Sequence, residues 1–168
     1  DRHDFLQLHQ NYTYEDFVGG VKIKSGGKGF VYQDGKFLDT IKRASSDSEN
    51  DYLIILDEIN RTNLAKIFGE LFVCLDRNYG SVVLSWTKDE TVTIPDNLYI
   101  IGTMNSSDRN IALLDIALRR RFKFLYFQPD RDILEKVTDD SALDNFSIVD
   151  LFLKLNDKIF SQLHDKEK

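Results

Sequence analysis

Two adjacent carboxylates after an apolar run, Leu53-Ile54-Ile55-Leu56-Asp57-Glu58, are the first feature with chemical content. A buried strand ending this way presents both acids at its tip. The first can hold Mg²⁺ through water and the second can orient or deprotonate an attacking water, the arrangement a nucleotide hydrolase uses. An acidic helix-capping turn has the same local sequence. A second apolar run, Leu98-Tyr99-Ile100-Ile101, leads through Gly102 and Thr103 to Asn105. A neutral amide beside the carboxylates can hydrogen-bond a γ-phosphate or the attacking water without repelling either. Asparagine also serves as an ordinary turn residue. The third cluster is Arg119-Arg120-Arg121 in Ala117–Phe122. Three arginines at a helix end suit the helix dipole, and arginine's planar fork also fits phosphate. From Arg109 to Lys123 five basic residues face one acidic, Asp115, in a chain whose net charge is −6.

These residues need elements to hold them. A short strand is expected around residues 5–8. Asp34-Gly35 between aromatic residues is a hairpin signal, followed by a short helix with Phe37, Leu38, Ile41 and Ala44 on one face. Residues 45–51 are a polar loop, and residues 52–56 read as a strand buried on both faces. Leu64, Ile67, Phe68, Leu71, Phe72 and Leu75 keep the spacing of one amphipathic helix. Residues 81–94 read as a second hairpin, 98–101 as another buried strand, and Ile111, Leu114 and Leu118 as a helix capped by Asn110. A last strand is expected over 122–127. Beyond Pro129 only helix is expected, with Ile148, Phe152, Leu155, Ile159 and Leu163 on one face. Strands alternating with helices define an α/β class with a mainly parallel sheet, in which ligands bind beyond the carboxyl ends of the strands.

Composition sets outer bounds. With 42% hydrophobic and 12% aromatic residues among 168, the chain is rich enough to fold around a core. Apolar runs reach about five residues, where a membrane span needs about 20. The one cysteine, Cys74, excludes an internal disulfide and a multi-cysteine zinc site and suits a reducing, cytoplasmic setting. The acidic total argues against a generally DNA-coating surface and leaves room for a local basic path.

Taken in order, the motifs carry a resemblance. Residues 9–17 (HQNYTYEDF), 56–61 (LDEINR), 102–109 (GTMNSSDR) and 117–122 (ALRRRF) resemble the AAA+ NTPases, and within them the GTP-using motor subunits of McrBC-type modification-dependent restriction systems. The resemblance covers roughly residues 5–129. It implies a P-loop NTPase-type sheet flanked by helices, with two β-hairpin inserts and a partial helical lid: residues 1–129 as the large α/β subdomain and 130–168 as the start of the lid. It implies a Walker B pair, with Asp57 on Mg²⁺ and Glu58 on the hydrolytic water, and Asn105 as the sensor of the γ-phosphate. Arg119 and Arg120 resemble fingers that reach the nucleotide of a neighbouring subunit, so a ring, usually a hexamer in this family, belongs to the active site. Asp108 and Arg109 match the subgroup motif and fall with the nucleotide-binding residues, without a defined chemical role; Asn60 matches it likewise. Arg121 is expected to be structural, in an ion pair beneath the helix. The implied substrate is GTP or ATP, and the implied partners are further copies of the chain, a McrC-like nuclease and DNA. Residues 20–36 and 81–94 resemble pore-lining hairpins, where Lys22, Lys24 and Lys28 suit a phosphate backbone. Trp86 and Tyr79 suit base stacking or, equally, cross-strand packing.

One family feature is missing: no G-x-x-x-x-G-K-[ST] occurs in the 168 residues. Ser25-Gly26-Gly27-Lys28-Gly29 lacks the hydroxyl residue and follows no buried strand, so it reads as hairpin. The chain is therefore expected to begin inside the domain, after the strand that carries the phosphate loop, and alone to bind nucleotide weakly or not at all. The strand at 98–103 then has an open edge, to be closed by a shifted strand or a second copy. Two other functions compete with the DNA motor. One is a protein-remodelling ATPase of MoxR or dynein-related type; the other is a non-catalytic ring-assembly module.

Overall fold

Three parallel strands form the sheet on which the chemistry-bearing residues are mounted. The computed structural model describes residues 1–24, 27, 29–76, 80–87, 89–105, 116–127, 130–137 and 148–164. Two compact units result, Asp1–Lys123 and Phe124–Lys168. In the first, β1 (His3–Gln7), β4 (Tyr52–Asp57) and β7 (Leu98–Gly102) lie in the order β1-β4-β7. Between β4 and β7 lie two hairpin strands, β5 (Val82–Val83) and β6 (Thr91–Val92); β2 (Gly19–Ile23) and β3 (Phe30–Asp34) form another hairpin. Register is parallel throughout the sheet: Phe5 opposes Ile55, and Ile55 opposes Ile101.

Helices cover one face. These are α1 (Tyr14–Phe17), α2 (Lys36–Ser46) and α3 (Leu64–Phe68), the last continued as a 3₁₀ turn over Gly69–Leu75. Thr13 starts α1 with a capping box, its hydroxyl accepting from the Asp16 amide at 3.3 Å while Asp16 Oδ2 accepts the Thr13 amide at 3.4 Å. Phe17 then stacks on Phe37 at 4.7 Å and meets Phe68 edge-on at 4.8 Å, an aromatic centre joining α1, α2 and α3. Side chains alternate along β4, so Tyr52, Ile54 and Leu56 point into this core. Asn97 closes the other end of the layer. Its amide nitrogen donates to the carbonyls of Ala44, Asp47 and Asn50, at 2.8–3.0 Å, holding the polar loop against the start of β7.

Several expectations are corrected. The 52–56 strand is buried on one face only: the opposite face carries Phe5, Tyr99 and Ile101, each at least half exposed. Asp34-Gly35 is not a hairpin turn. β2 and β3 meet instead where the Lys24 amide donates to the Gly29 carbonyl at 3.0 Å and Gly27 and Gly29 take φ of +76° and +91°, and Gly35 joins β3 to α2. The predicted long helix leaves α geometry at Gly69, whose φ of +53° favours glycine, and the Tyr14 ring lies 2.5 Å from where a Cβ would stand, so only glycine fits there. The strand expected over 122–127 does not form. Its alternation is weak, an extended segment becomes a strand only by pairing, and Leu125, Tyr126 and Phe127 stand exposed. Among the described residues nothing pairs with the outer edge of β7, so no shifted strand closes it.

The first unit ends with α4 (Ile116–Arg121), anchored by buried Leu118. Asn110, Ile111 and Leu114 lie outside the described residues. In the second unit α5 (Arg131–Val137) packs on α6 (Ile148–His164). Of the apolar face expected there, Phe152 is partly covered, and Leu155 and Ile159 are about half exposed. No helix among the described residues is long and apolar enough to cross a membrane.

Candidate functional site

Parallel pairing brings the two polar strand ends together. Because Leu56 opposes Gly102, Asp57 falls beside Thr103. The backbone ladder runs on past the strands: the Thr103 amide donates to the Leu56 carbonyl and the Ile59 amide to the Thr103 carbonyl, both at 2.9 Å. The Thr103 hydroxyl also donates to Asp57 Oδ1. One carboxylate oxygen is thereby oriented by the neighbouring strand, and among the described residues Asp57 makes no ion pair. Gly102 permits this closeness, since a Cβ there would stand 2.9 Å from Ile59 Cδ1.

Glu58 holds the most constrained backbone of the site. Its φ of 57° and ψ of 46° are left-handed, unusual for a residue with a side chain, and of order 1–3 kcal/mol in strain. That turn starts the 3₁₀ segment Ile59–Arg61, closed by the Arg61 amide on the Glu58 carbonyl at 2.9 Å. The side chain swings back, so Arg61 Nη2 pairs with Glu58 Oε1 at 3.2 Å, while Glu58 Oε2 is buried without a partner. An unpaired buried acceptor is a place for a donor that the described residues do not supply. Asn105 follows two residues beyond Thr103, and its carbonyl accepts from Asn60 Nδ2 at 3.1 Å.

The three arginines separate. Arg119 and Arg120 are exposed on the last turn of α4. Arg121 folds inward, its guanidinium 4.5 Å from the Phe72 ring centroid and its Nη1 donating to the Ala117 carbonyl at 2.9 Å. It makes a cation–π contact where an ion pair was expected. Asp108 and Arg109, with Lys28 and Tyr79, lie outside the described residues. Lys22 and Lys24 are exposed on the β2–β3 hairpin. Trp86 is committed to packing: its Nε1 donates to the Tyr14 hydroxyl at 3.0 Å and its ring stacks on Tyr32 at 6.0 Å. Much of HQNYTYEDF is likewise structural, Phe17 filling the core and Tyr14 supporting Gly69 and Trp86. Sequence reasoning missed Thr103 and Arg61. Aligning the two strand ends would have found Thr103, and the three-residue spacing from Glu58 would have found Arg61.

A parallel α/β layer with a carboxylate pair at one strand tip and a polar loop at the next has the architecture of the P-loop NTPase-type folds. Residues 2–122 match the model of the AAA domain, dynein-related subfamily, and the chain belongs to that family. It is 41% identical over 137 residues to the EcoKMcrB subunit of the type IV methyl-directed restriction enzyme of Escherichia coli (strain K12), covering 78% of this chain and 29% of that protein. Component YdiS of the type II restriction enzyme BsuMI of Bacillus subtilis (strain 168) is 31% identical over 117 residues, covering 61% of this chain and 34% of that one. The chain thus spans roughly a third of the curated relatives it matches, and both bear out the McrB-like resemblance. A solved structure assigned as an ATPase, from Cytophaga hutchinsonii ATCC 33406, superposes with a TM-score of 0.50 over 87% of this chain and 40% of its own. At 17% identity that likeness concerns the fold alone.

Proposed function

We propose that this domain hydrolyses GTP or ATP as one subunit of a ring-shaped motor, coupled to DNA translocation and to restriction by a partner nuclease. The observation that carries the reading is the meeting of the two strand tips, which places Asp57 and Glu58 beside the loop of Asn105. Mg²⁺ fits Asp57: a carboxylate with one oxygen oriented by Thr103 and no ion pair among the described residues suits an ion that keeps most of its ligands as waters and substrate phosphates. When bound, that ion neutralises charge on the phosphates. Glu58 orients and deprotonates the attacking water, its uncommitted Oε2 being the acceptor for the water's proton. Asn105 contributes a neutral amide near the γ-phosphate. Arg119 and Arg120, exposed at the end of α4, serve a neighbouring subunit's nucleotide, and Asp108 and Arg109 complete the nucleotide contacts.

Coupling to DNA draws on the McrB and BsuMI relatives and on exposed Lys22 and Lys24. The hairpin also exposes Ile23 and Phe30, which favours a second reading, a remodelling ATPase that grips protein. Residues 130–168 act as the start of the lid. The 168 residues by themselves contain no phosphate-cradle motif and are expected to bind nucleotide weakly.

The test uses the full-length protein. Glu58→Gln is expected to retain Mg-nucleotide binding and to lose about 10²–10⁴ in kcat, the usual contribution of a general base. Chelating Mg²⁺ should abolish hydrolysis in the unmodified protein. Duplex DNA should accelerate it; a rate indifferent to DNA and raised by unfolded protein would move the assignment to the remodelling reading. Unchanged turnover in Glu58→Gln would overturn the catalytic assignment itself.

A further inference from the structure

Among the described residues two polar side chains are fully buried, Thr40 and Asn60. Thr40 is satisfied, its hydroxyl lying 2.8 Å from Asp4 Oδ2 and 2.9 Å from the Lys36 carbonyl. Asn60, 4% exposed, is only half satisfied. Its Nδ2 donates to the Asn105 carbonyl at 3.1 Å, but its Oδ1 is buried with no partner. A buried amide with an unmet carbonyl is a poor source of stability, and an apolar side chain would cost less there. What Asn60 supplies is therefore the single bond its nitrogen makes.

That bond has a particular place. The ladder between the two strand ends runs past the left-handed Glu58 to the Ile59 amide, which donates to the Thr103 carbonyl. Two residues further along the neighbouring loop lies the Asn105 carbonyl, and the Asn60 side chain reaches it. A side-chain amide thus ties the two loops together one step beyond that backbone pair. At its other end Asn60 sits inside the 3₁₀ turn that Glu58 opens, two residues from the acid.

We propose that Asn60 is the positioning residue that joins the carboxylate loop to the amide loop, so that Glu58 and Asn105 hold one relative placement during hydrolysis. The inference rests on the roles given to those two residues above. Asn60 touches no reacting atom; it acts through the Asn105 backbone.

The experiment is a double-mutant cycle in the full-length protein, with kcat, KM and the affinity for a fluorescent Mg-nucleotide measured for each variant. Asn60→Asp keeps the shape but replaces the donor by an acceptor, and Asn60→Ala removes the bond without adding charge, should the aspartate variant not fold. Either is expected to lower kcat about tenfold, to leave KM and nucleotide affinity within about threefold, and to cost little more once Asn105→Ala is present, as coupled neighbours do. A residue that merely supported the fold would lower the melting temperature and leave the kcat of the folded fraction unchanged, which overturns the proposal. Effects of Asn60 and Asn105 that multiply independently overturn it too. If Glu58→Gln and Asn105→Ala reduce turnover while the Asn60 variants do not, the coupling alone fails; if all are silent, the underlying assignment fails with it.

Discussion

Charge at a single residue is set by what its neighbours do with it, and Asp4 is an instance outside the candidate site. It lies on the helix-facing side of β1, where Lys36 Nζ approaches at 2.9 Å and Arg43 and Thr40 complete the cage. Burial raises the carboxyl, but hydrogen bonds from Lys36, Thr40 and Arg43 outweigh it and hold the group below the usual carboxylate range. A lowered native value means the unfolded chain takes up protons first. This stabilisation is complete above the ordinary carboxylate value and is lost as pH falls through the lower native one. Asp4→Asn is expected to cost about 1–2 kcal/mol at neutral pH, since Lys36 and Arg43 can turn back to solvent, and to flatten the acid limb of a stability–pH curve. An unchanged acid limb in urea unfolding would remove Asp4 from that role. Legibility at this scale was partial. Asp57, Glu58 and Asn105 stood out by type and by apolar context, whereas Thr103, Arg61 and the Asn60 bond arise only when two strands lie side by side. Nothing local distinguishes Arg121 from Arg119 either: the difference is the Phe72 ring, 49 positions away in the chain.

Elements were readable where a period was strong and misread where a single residue ruled. β4 and β7 were plain as apolar runs, and α2 by its repeating Phe37, Leu38, Ile41 and Ala44, all buried. Covering of both sheet faces was not readable, because a continuous apolar run specifies what a strand can bury and not what packs on it. Asp34-Gly35 was misread because glycine serves two ends. At a tight turn it supplies positive φ; at a crossing it supplies the absence of a Cβ. Gly35 has φ −80°, which alanine adopts freely, yet a Cβ there would stand 2.4 Å from the Phe17 carbonyl carbon and 2.7 Å from the Val18 nitrogen. Those atoms are backbone at the end of α1 and have nowhere to go. Gly35→Ala is therefore expected to lose about 3 kcal/mol, at the upper end for overpacking. Gly27, with φ +76° but open space around it, should lose only about 1 kcal/mol as alanine. Thermal melts of the two variants decide the matter: equal losses, or a larger loss at Gly27, would mean that backbone freedom and not the crossing is what Gly35 provides.

At the scale of the whole molecule the proposal divides the site between copies. Asp57, Glu58 and Asn105 sit at the carboxyl ends of β4 and β7, whereas Arg119 and Arg120 project from the last turn of α4 into solvent. Buried Leu118 and the Arg121–Phe72 contact fasten that helix, so the two free arginines have a fixed base from which to reach outward. An arginine finger supplied by a neighbour contributes about 10³–10⁵ in rate, so its loss should be at least as severe as loss of the acid. The two defects differ in where they are felt. A subunit with Arg119→Ala and Arg120→Ala keeps an intact acid–amide pair and spoils its neighbour's site. A subunit with Glu58→Gln spoils its own site and still presents both arginines. Mixed full-length rings should then contain interfaces where a good acid meets good arginines, and hydrolysis should rise well above the sum of the two separate proteins, peaking near equal proportions. Arginines acting on their own subunit's nucleotide would give no such interface. The mixture would then remain at the sum, and the proposal of catalysis shared between copies would fall.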